Sequence, residues 1–194
     1  MFYQKIKPFK SQLLDLYQTK TMTYEPKLEI KFEKISFEQY YKDLQKCNNF
    51  ITKEQAKEYY DKIMLPKRAT NSSAGYDFSL TYPIEIEPNK PILVPTGIKI
   101  KLPTNLVCLL MPRSSMGFKY GMCLDNTVGV IDADYYFAEN EGHIMASLTF
   151  RNIEHRIKLE THERFMQAII VRYYQTHDDT TDTARVGGMG STGK

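Results

Sequence analysis

The sequence predicts a mainly β protein, an antiparallel sandwich, jelly roll or barrel with two short helices near its start. Three observations predict it. From Pro66 onward apolar residues recur at every second position rather than every third or fourth. Turn-forming clusters interrupt these runs at short intervals. No long helical pattern separates the runs, as a doubly wound parallel sheet would require.

Residues 1–27 are rich in lysine and tyrosine with only a weak helical pattern (Phe9, Leu13, Tyr17), and read as an N-terminal appendage. Leu28, Ile30 and Phe32 then alternate with Glu29, Lys31 and Glu33, the period of a half-buried strand. Ser36-Phe-Glu-Gln39 and Thr52-Lys-Glu-Gln55 are capping-box spacings. Each precedes apolar residues at helical intervals, which predicts helices over 37–46 and 53–63 whose aromatic faces pack on the domain behind them. Alternation returns in Tyr76, Phe78, Leu80 and Tyr82, in Ile98, Ile100 and Leu102, and in Ile144, Ala146, Leu148 and Phe150. Pro88-Asn89, Pro103-Thr-Asn105 and Asn140-Glu-Gly142 supply turns. Thr176 to Lys194 combines acids, threonines and glycines with few apolar residues, the composition of a mobile arm. The expected organisation is an appendage over 1–27, a β domain over 28–175 with a helical insertion at about 37–63, and an arm over 176–194.

Composition narrows the function classes. The chain has 194 residues, 42% of them apolar and 25% charged, which excludes a disordered or fibrous protein. A net charge of +3 suits a phosphorylated ligand but is too small to signal DNA binding, and no specific nucleic acid is expected as partner. The longest apolar runs, Asn105–Met111 and Phe165–Val171, fall far short of the roughly 20 residues that span a bilayer, so no membrane association is expected. Three cysteines without paired spacing and the lack of a secretory leader pattern point to the cytoplasm.

Several segments carry candidate chemistry. Gly188-Met-Gly-Ser-Thr-Gly193-Lys194 matches most of a GxxxxGK phosphate cradle but lacks the following Ser/Thr and helix, so an ATPase is not expected. The four histidines show no metal-ligand spacing and read as surface or hydrogen-bonded residues. In an extended chain Asp132 and Asp134 would point to the same side, as a magnesium pair, as a general base beside a structural acid, or as a solvated strand face. Pro112-Arg113-Ser114-Ser115 offers a fixed cation and two hydroxyls, as phosphate ligands or as a turn.

The order of five segments goes further. Ala74-Gly-Tyr-Asp77, Pro112-Arg-Ser-Ser115, Gly129-Val-Ile-Asp-Ala-Asp-Tyr135, Glu163-Arg-Phe-Met-Gln167 and Arg185-Val-Gly-Gly-Met-Gly-Ser-Thr-Gly193 resemble the five ordered motifs of the homotrimeric dUTPase family, over about residues 65–193. The resemblance implies a jelly-roll-like β domain that hydrolyses dUTP to dUMP and pyrophosphate with Mg²⁺. It implies that Asp132 is the general base, activating water for attack on the α-phosphorus. It further implies that Asn126 and the hairpin backbone at Gly129 read the uracil edge, and that Tyr135 lies under the sugar and excludes a 2′-hydroxyl. Arg113, Ser114, Ser115 and Gln167 would arrange the triphosphate, with Asp77 supporting them. Arg185, Met189, Gly190 and Ser191 would belong to an arm that closes over the nucleotide from a neighbouring subunit, which makes a homotrimer with shared sites the expected assembly.

Magnesium would be held mainly by phosphates and water rather than directly by the chain. Met189 stands where an aromatic is usual, and one residue fewer separates Arg185 from the glycine pair, which implies weaker closure of the arm. Two rivals share the scaffold. A dCTP deaminase would need a catalytic glutamate where Thr149 stands, and a regulatory protein partner would be bound through the N-terminal segment.

Overall fold

A computed structural model of the chain describes residues 29–183 together with 185 and 187. The appendage expected over residues 1–27, and Met189, Gly190 and Ser191 of the expected arm, lie outside the described residues. The elements run β1 (Lys31–Lys34), α1 (Phe37–Cys47), α2 (Lys53–Asp61), β2 (Lys67–Arg68), β3 (Tyr76–Ser79), β4 (Ile84–Ile86), β5 (Ile92–Pro95), β6 (Ile98–Lys101) and β7 (Leu106–Pro112). They continue with α3 (Ser114–Tyr120), β8 (Met122–Leu124), β9 (Gly129–Ile131), a 3-10 turn (Ala133–Phe137), β10 (Met145–Phe150), β11 (Ile157–Leu159) and β12 (Arg164–Arg172).

Every strand pairing among the described residues is antiparallel, as the alternating pattern predicts. The largest sheet has the order β2-β3-β12-β7-β9, and smaller ones pair β1 with β6, β5 with β10 and β8, and β11 with β4. Inward-facing residues from all four sheets and from the three helices join one buried cluster, in which Phe78, Phe150, Phe165 and Tyr40 are the largest fully buried side chains. The mainly β, jelly-roll-like class is thus the observed one. Turn residues work as expected: Asn89 and Gly142 take positive φ, and Leu106 N–H donates to the Pro103 carbonyl.

The two N-terminal helices start where their caps predict. Ser36 accepts from the Gln39 N–H, and Thr52 with Gln55 forms a complete capping box. Their inner faces, Tyr40, Leu44, Ala56 and the following Ile63, lie in the same core as the strands. The Tyr40 hydroxyl is 2.7 Å from Thr81 Oγ1, so even its polar tip is satisfied inside the core.

The junction is closest at Gly97, in the turn between β5 and β6. Its φ of 72° is left-handed, and a Cβ there would overlap Ile63 Cδ1 and stand 3.2 Å from Tyr40 Cδ2. Gly97→Ala therefore combines backbone strain with overpacking and should cost about 2–4 kcal/mol of unfolding free energy, read by urea denaturation.

Candidate functional site

One group of polar side chains gathers at the β3–β12–β7 end of the large sheet. Asp77 on β3 faces Gln167 on β12, which in turn faces Met111 on β7. The Asp77 carboxylate holds two guanidiniums at once, with Arg113 Nε on Oδ1 and Arg164 Nη1 on Oδ2, both at 2.9 Å. A carboxylate gripped on both oxygens fixes two cations in adjacent positions. The Arg113 N–H also donates to the Phe165 carbonyl at 3.1 Å, and Gln167 Nε2 donates to the Pro112 carbonyl at 3.3 Å. Gly75 is required here, because a Cβ would overlap the Gln167 amide that lies across it. Ser114 and Ser115 open α3 directly after Arg113, both exposed.

A second group lies on the β8–β9 hairpin and the turn that follows. Gly129 approaches β7 so closely that a Cβ would sit 3.0 Å from Leu110 Cβ. Asn126 and Gly129 line a cleft of about 370 Å³ with Leu93, Leu110, Met145 and Ser147, roomy enough for a planar heterocycle. Strand β9 ends at Ile131, and Asp132 caps the 3-10 turn. This corrects the extended reading of Asp132 and Asp134: the chain coils immediately after Asp132, so strand pleating does not align the two acids. A cation does. Arg185 Nη2 is 2.6 Å from Asp132 Oδ2 and its Nε 2.8 Å from Asp134 Oδ1, while its guanidinium carbon lies 5.7 Å over the Tyr135 ring. Both carboxylates remain about half exposed, so water reaches them.

Tyr135 itself is buried, and burial pushes its phenol pKa upward against the opposing effect of the Asn140 hydrogen bond. Its hydroxyl donates to the His143 carbonyl at 2.8 Å and accepts from Asn140 Nδ2 at 2.7 Å. The ring is thereby fixed beside Asp132.

Asp132 and the Arg113–Asp77 pair do not meet within one chain. Register pairs Cys108 with Ile131, which puts Asp132 beside Val107, six positions from Arg113 along β7 and so about 20 Å away. Asp77, to which Arg113 is tied, sits on β3, three strands from β9, about 14 Å across the sheet. Pattern reading missed Arg164, although it lies within the fourth motif, and the Asp43–His143 pair behind Tyr135. Arg164 had a signal, as a cation at the head of the strand that carries Gln167. Asp43 had none, since one acid on an amphipathic helix reads as a solvated position.

Among the described residues no group of three or more His, Cys, Asp or Glu stands ready to hold a metal, and none of the helices there is long and apolar enough to cross a membrane. Cys108 is buried and its thiol is pushed up to about 12, which removes it as a nucleophile.

Comparison with known proteins gives consistent matches. The family model described as dUTPase matches residues 61–193. The deoxyuridine 5′-triphosphate nucleotidohydrolase of Hahella chejuensis is 38% identical over 151 residues, spanning 74% of this chain and 95% of the relative. The crystal structure of dUTPase from Streptococcus mutans superposes with a TM-score of 0.57 at 33% identity, covering 75% of this chain and 97% of that one. A point mutant of the dUTPase of phage phi11 of S. aureus, in which a structural Mg(II) ion is coordinated, shares the fold with a TM-score of 0.54 at 14% identity, covering 80% of this chain and 97% of that one.

Proposed function

The chain belongs to the dUTPase family and is a dUTP nucleotidohydrolase, and from that premise we propose that Asp132 is its general base in a site completed by a second copy of the chain. The observation that carries this reading is the separation of Asp132 from Arg113, about 20 Å along β7, farther than the α-phosphorus of one nucleotide can lie from its own terminal phosphates. The first group, Arg113, Ser114, Ser115 and Gln167 braced by Asp77 and extended by Arg164, offers two fixed cations and hydroxyls, a triphosphate cradle. The second, Asn126, Gly129, Asp132 and Tyr135, offers a base pocket, a carboxylate open to water and a flat buried ring.

In the reaction the Asp132 carboxylate takes the proton of a water that attacks the α-phosphorus. The P–O bond to the β-phosphate breaks, and its electron pair leaves on pyrophosphate. Asn126, at the edge of the 370 Å³ cleft, presents its amide to the uracil edge, where the amino group of cytosine would meet a donor instead of an acceptor. Tyr135 closes the sugar side and leaves no room for a 2′-hydroxyl.

Magnesium fits as a companion of the phosphates: the two carboxylates that flank Arg185, Asp132 and Asp134, are about half exposed and suited to metal-bound water rather than to a full protein cage. Bound there, the ion supplies neutralisation of charge on the phosphoryl oxygens. The homotrimer is the assembly that brings each arm to a neighbouring site, and the unpaired cysteines support a cytoplasmic enzyme. Thr149 answers the deaminase alternative. Its hydroxyl donates to Asp125 Oδ1 at 2.6 Å, and it carries no carboxylate to act as base.

Pyrophosphate release with Mg²⁺ across a nucleotide panel tests the assignment. Turnover of dUTP should exceed that of dCTP, dTTP and UTP by at least about 100-fold, the scale set by a mispaired buried polar group or a steric overlap. Equal turnover of UTP would remove the role given to Tyr135, and equal turnover of dCTP that given to Asn126.

A further inference from the structure

The segment that follows Tyr135 is held from an unexpected side. Three residues of the N-terminal segment each grip one residue of the loop 136–143. Glu33 accepts from the Tyr136 hydroxyl at 2.6 Å, Ser36 donates to Glu141 through its hydroxyl at 2.6 Å and its N–H at 2.8 Å, and Asp43 Oδ2 lies 2.7 Å from His143 Nδ1. The last pair is fully buried.

Its protons follow from its partners. The Gly97 N–H donates to His143 Nε2 at 2.8 Å, so Nε2 must be the acceptor and Nδ1 carries the hydrogen that is donated to Asp43. Burial alone would raise the Asp43 carboxyl pKa, but hydrogen bonds from His143, Lys46 and Gln39 together hold it well below the usual range. Both ends of the imidazole are therefore spoken for, and the ring cannot turn. The carbonyl of this same residue receives the Tyr135 hydroxyl, and Asn140 of the same loop supports that hydroxyl from its other side. A buried ion on α1 thus fixes an imidazole, the imidazole fixes a carbonyl, and the carbonyl fixes the ring that lies beside Asp132 and under Arg185.

We propose that Asp43 and His143 are positioning residues for pentose selection: through the His143 carbonyl, helix α1 sets the depth of the Tyr135 ring and with it the exclusion of ribonucleotides. The inference rests on the role given above to Tyr135. It assigns α1 a part in substrate choice rather than in core packing alone. Neutralising Asp43 leaves the imidazole free to tilt, the carbonyl follows, and the ring loses the tenths of an ångström that separate a hydrogen from a hydroxyl at the sugar 2′ carbon.

The test compares pyrophosphate release from dUTP and from UTP by the full chain and by Asp43→Asn, Tyr135→Phe, Tyr135→Ala and the Asp43→Asn/Tyr135→Phe double variant. Asp43→Asn should raise the UTP to dUTP ratio of kcat/KM about 10-fold, with kcat for dUTP changed less than about twofold. Tyr135→Phe should raise the same UTP to dUTP ratio, and the double variant should shift it no further than the larger single effect, because both act through one ring. A purely structural Asp43 would lower the melting temperature and the active fraction while KM and the nucleotide ratio stayed at their original values, and that result overturns the proposal. Ratios that multiply in the double variant also overturn it.

The Tyr135→Ala arm separates this inference from its premise. Wild-type selectivity there removes the sugar role of Tyr135 itself, whereas relaxed selectivity with an unaffected Asp43→Asn removes only the part assigned to α1. Should Asp43→Asn fail to fold, Tyr136→Phe, which severs the half-buried Glu33 tether of the same loop, should shift the ratio about 3-fold in the same direction. An unshifted ratio in that variant counts against the proposal.

Discussion

Asp132→Asn should lower kcat for dUTP about 1,000-fold while KM stays within about threefold, measured as pyrophosphate release with Mg²⁺. The magnitude is that of a lost general base, about 4 kcal/mol of barrier, within the usual range for a positioned proton acceptor. Asparagine keeps the shape and can still accept a hydrogen bond from water, but it cannot take the proton. Binding should survive, because on the proposed reading the nucleotide is gripped elsewhere, by the base cleft at Asn126 and the cradle around Arg113. A variant that kept more than a tenth of the original kcat would remove Asp132 from the chemistry.

The variant also loses one of the two anions that hold Arg185. This pairing is informative about the resting enzyme. Two carboxylates close to one another repel, and Arg185 lies between them, 2.6 Å from one and 2.8 Å from the other. Both acids are about half exposed, so each contact is screened and cheap to exchange. A triphosphate, with several charges and strong acceptor oxygens, competes well for the same guanidinium. On the proposed reading, Arg185 leaves its own chain's Asp132 when the arm closes over the triphosphate in a neighbouring site, and the freed carboxylate is then open to water.

Most of the fold was legible because it rests on local period and local caps. The change from helical spacing in Tyr40, Leu44 and Tyr59 to alternation in Ile98 and Ile100 is written in neighbouring residues, and Ser36 and Thr52 mark helix starts by chemistry that needs no distant partner. Helix α3 was not legible. Its seven residues contain Gly117 and two serines, too short and too poor in helix formers to show a period, and it is ended by Gly121 in the left-handed conformation. The candidate site divides in the same way. Asp132, Arg113 and Gln167 stand in motifs that a resemblance can reach. The coil after Asp132, which breaks the strand geometry expected for Asp134, depends on the packing of Tyr135 against the loop that returns at His143. Asp43 lies 100 residues from its partner in sequence, and no periodicity encodes a contact of that span. Long-range polar pairs inside a core are invisible to pattern because they are set by the final packing rather than by the segment that carries them.

Mixed assemblies of two inactive variants should recover activity, and this is the sharpest consequence of a site divided between chains. Asp132→Asn damages only the group on the β9 side, and Arg113→Ala only the group at the β3–β12–β7 end. If both groups of one site came from one chain, every site in a mixture would carry one lesion or the other, and the mixture would show the average of two poor enzymes. If each site takes one group from one chain and the second group from the next, half of the sites receive an intact first group. Half of those receive an intact second group. Random exchange of equal amounts should then restore about a quarter of the wild-type activity, at least about 10-fold above either parent, once the subunits have been mixed in denaturant and refolded together. The double variant Asp132→Asn/Arg113→Ala supplies the contrast. Mixed with wild type, it concentrates both lesions in one chain, so it spoils each site it enters from either side and should leave about a quarter of the sites intact rather than the half left when each chain keeps its own site. Additive activity in the first mixture and half activity in the second would together place the whole site within a single chain, and the roughly 20 Å between Val107 and Arg113 would then have to be closed by a rearrangement of β7 that its pairing with β12 across seven residues opposes.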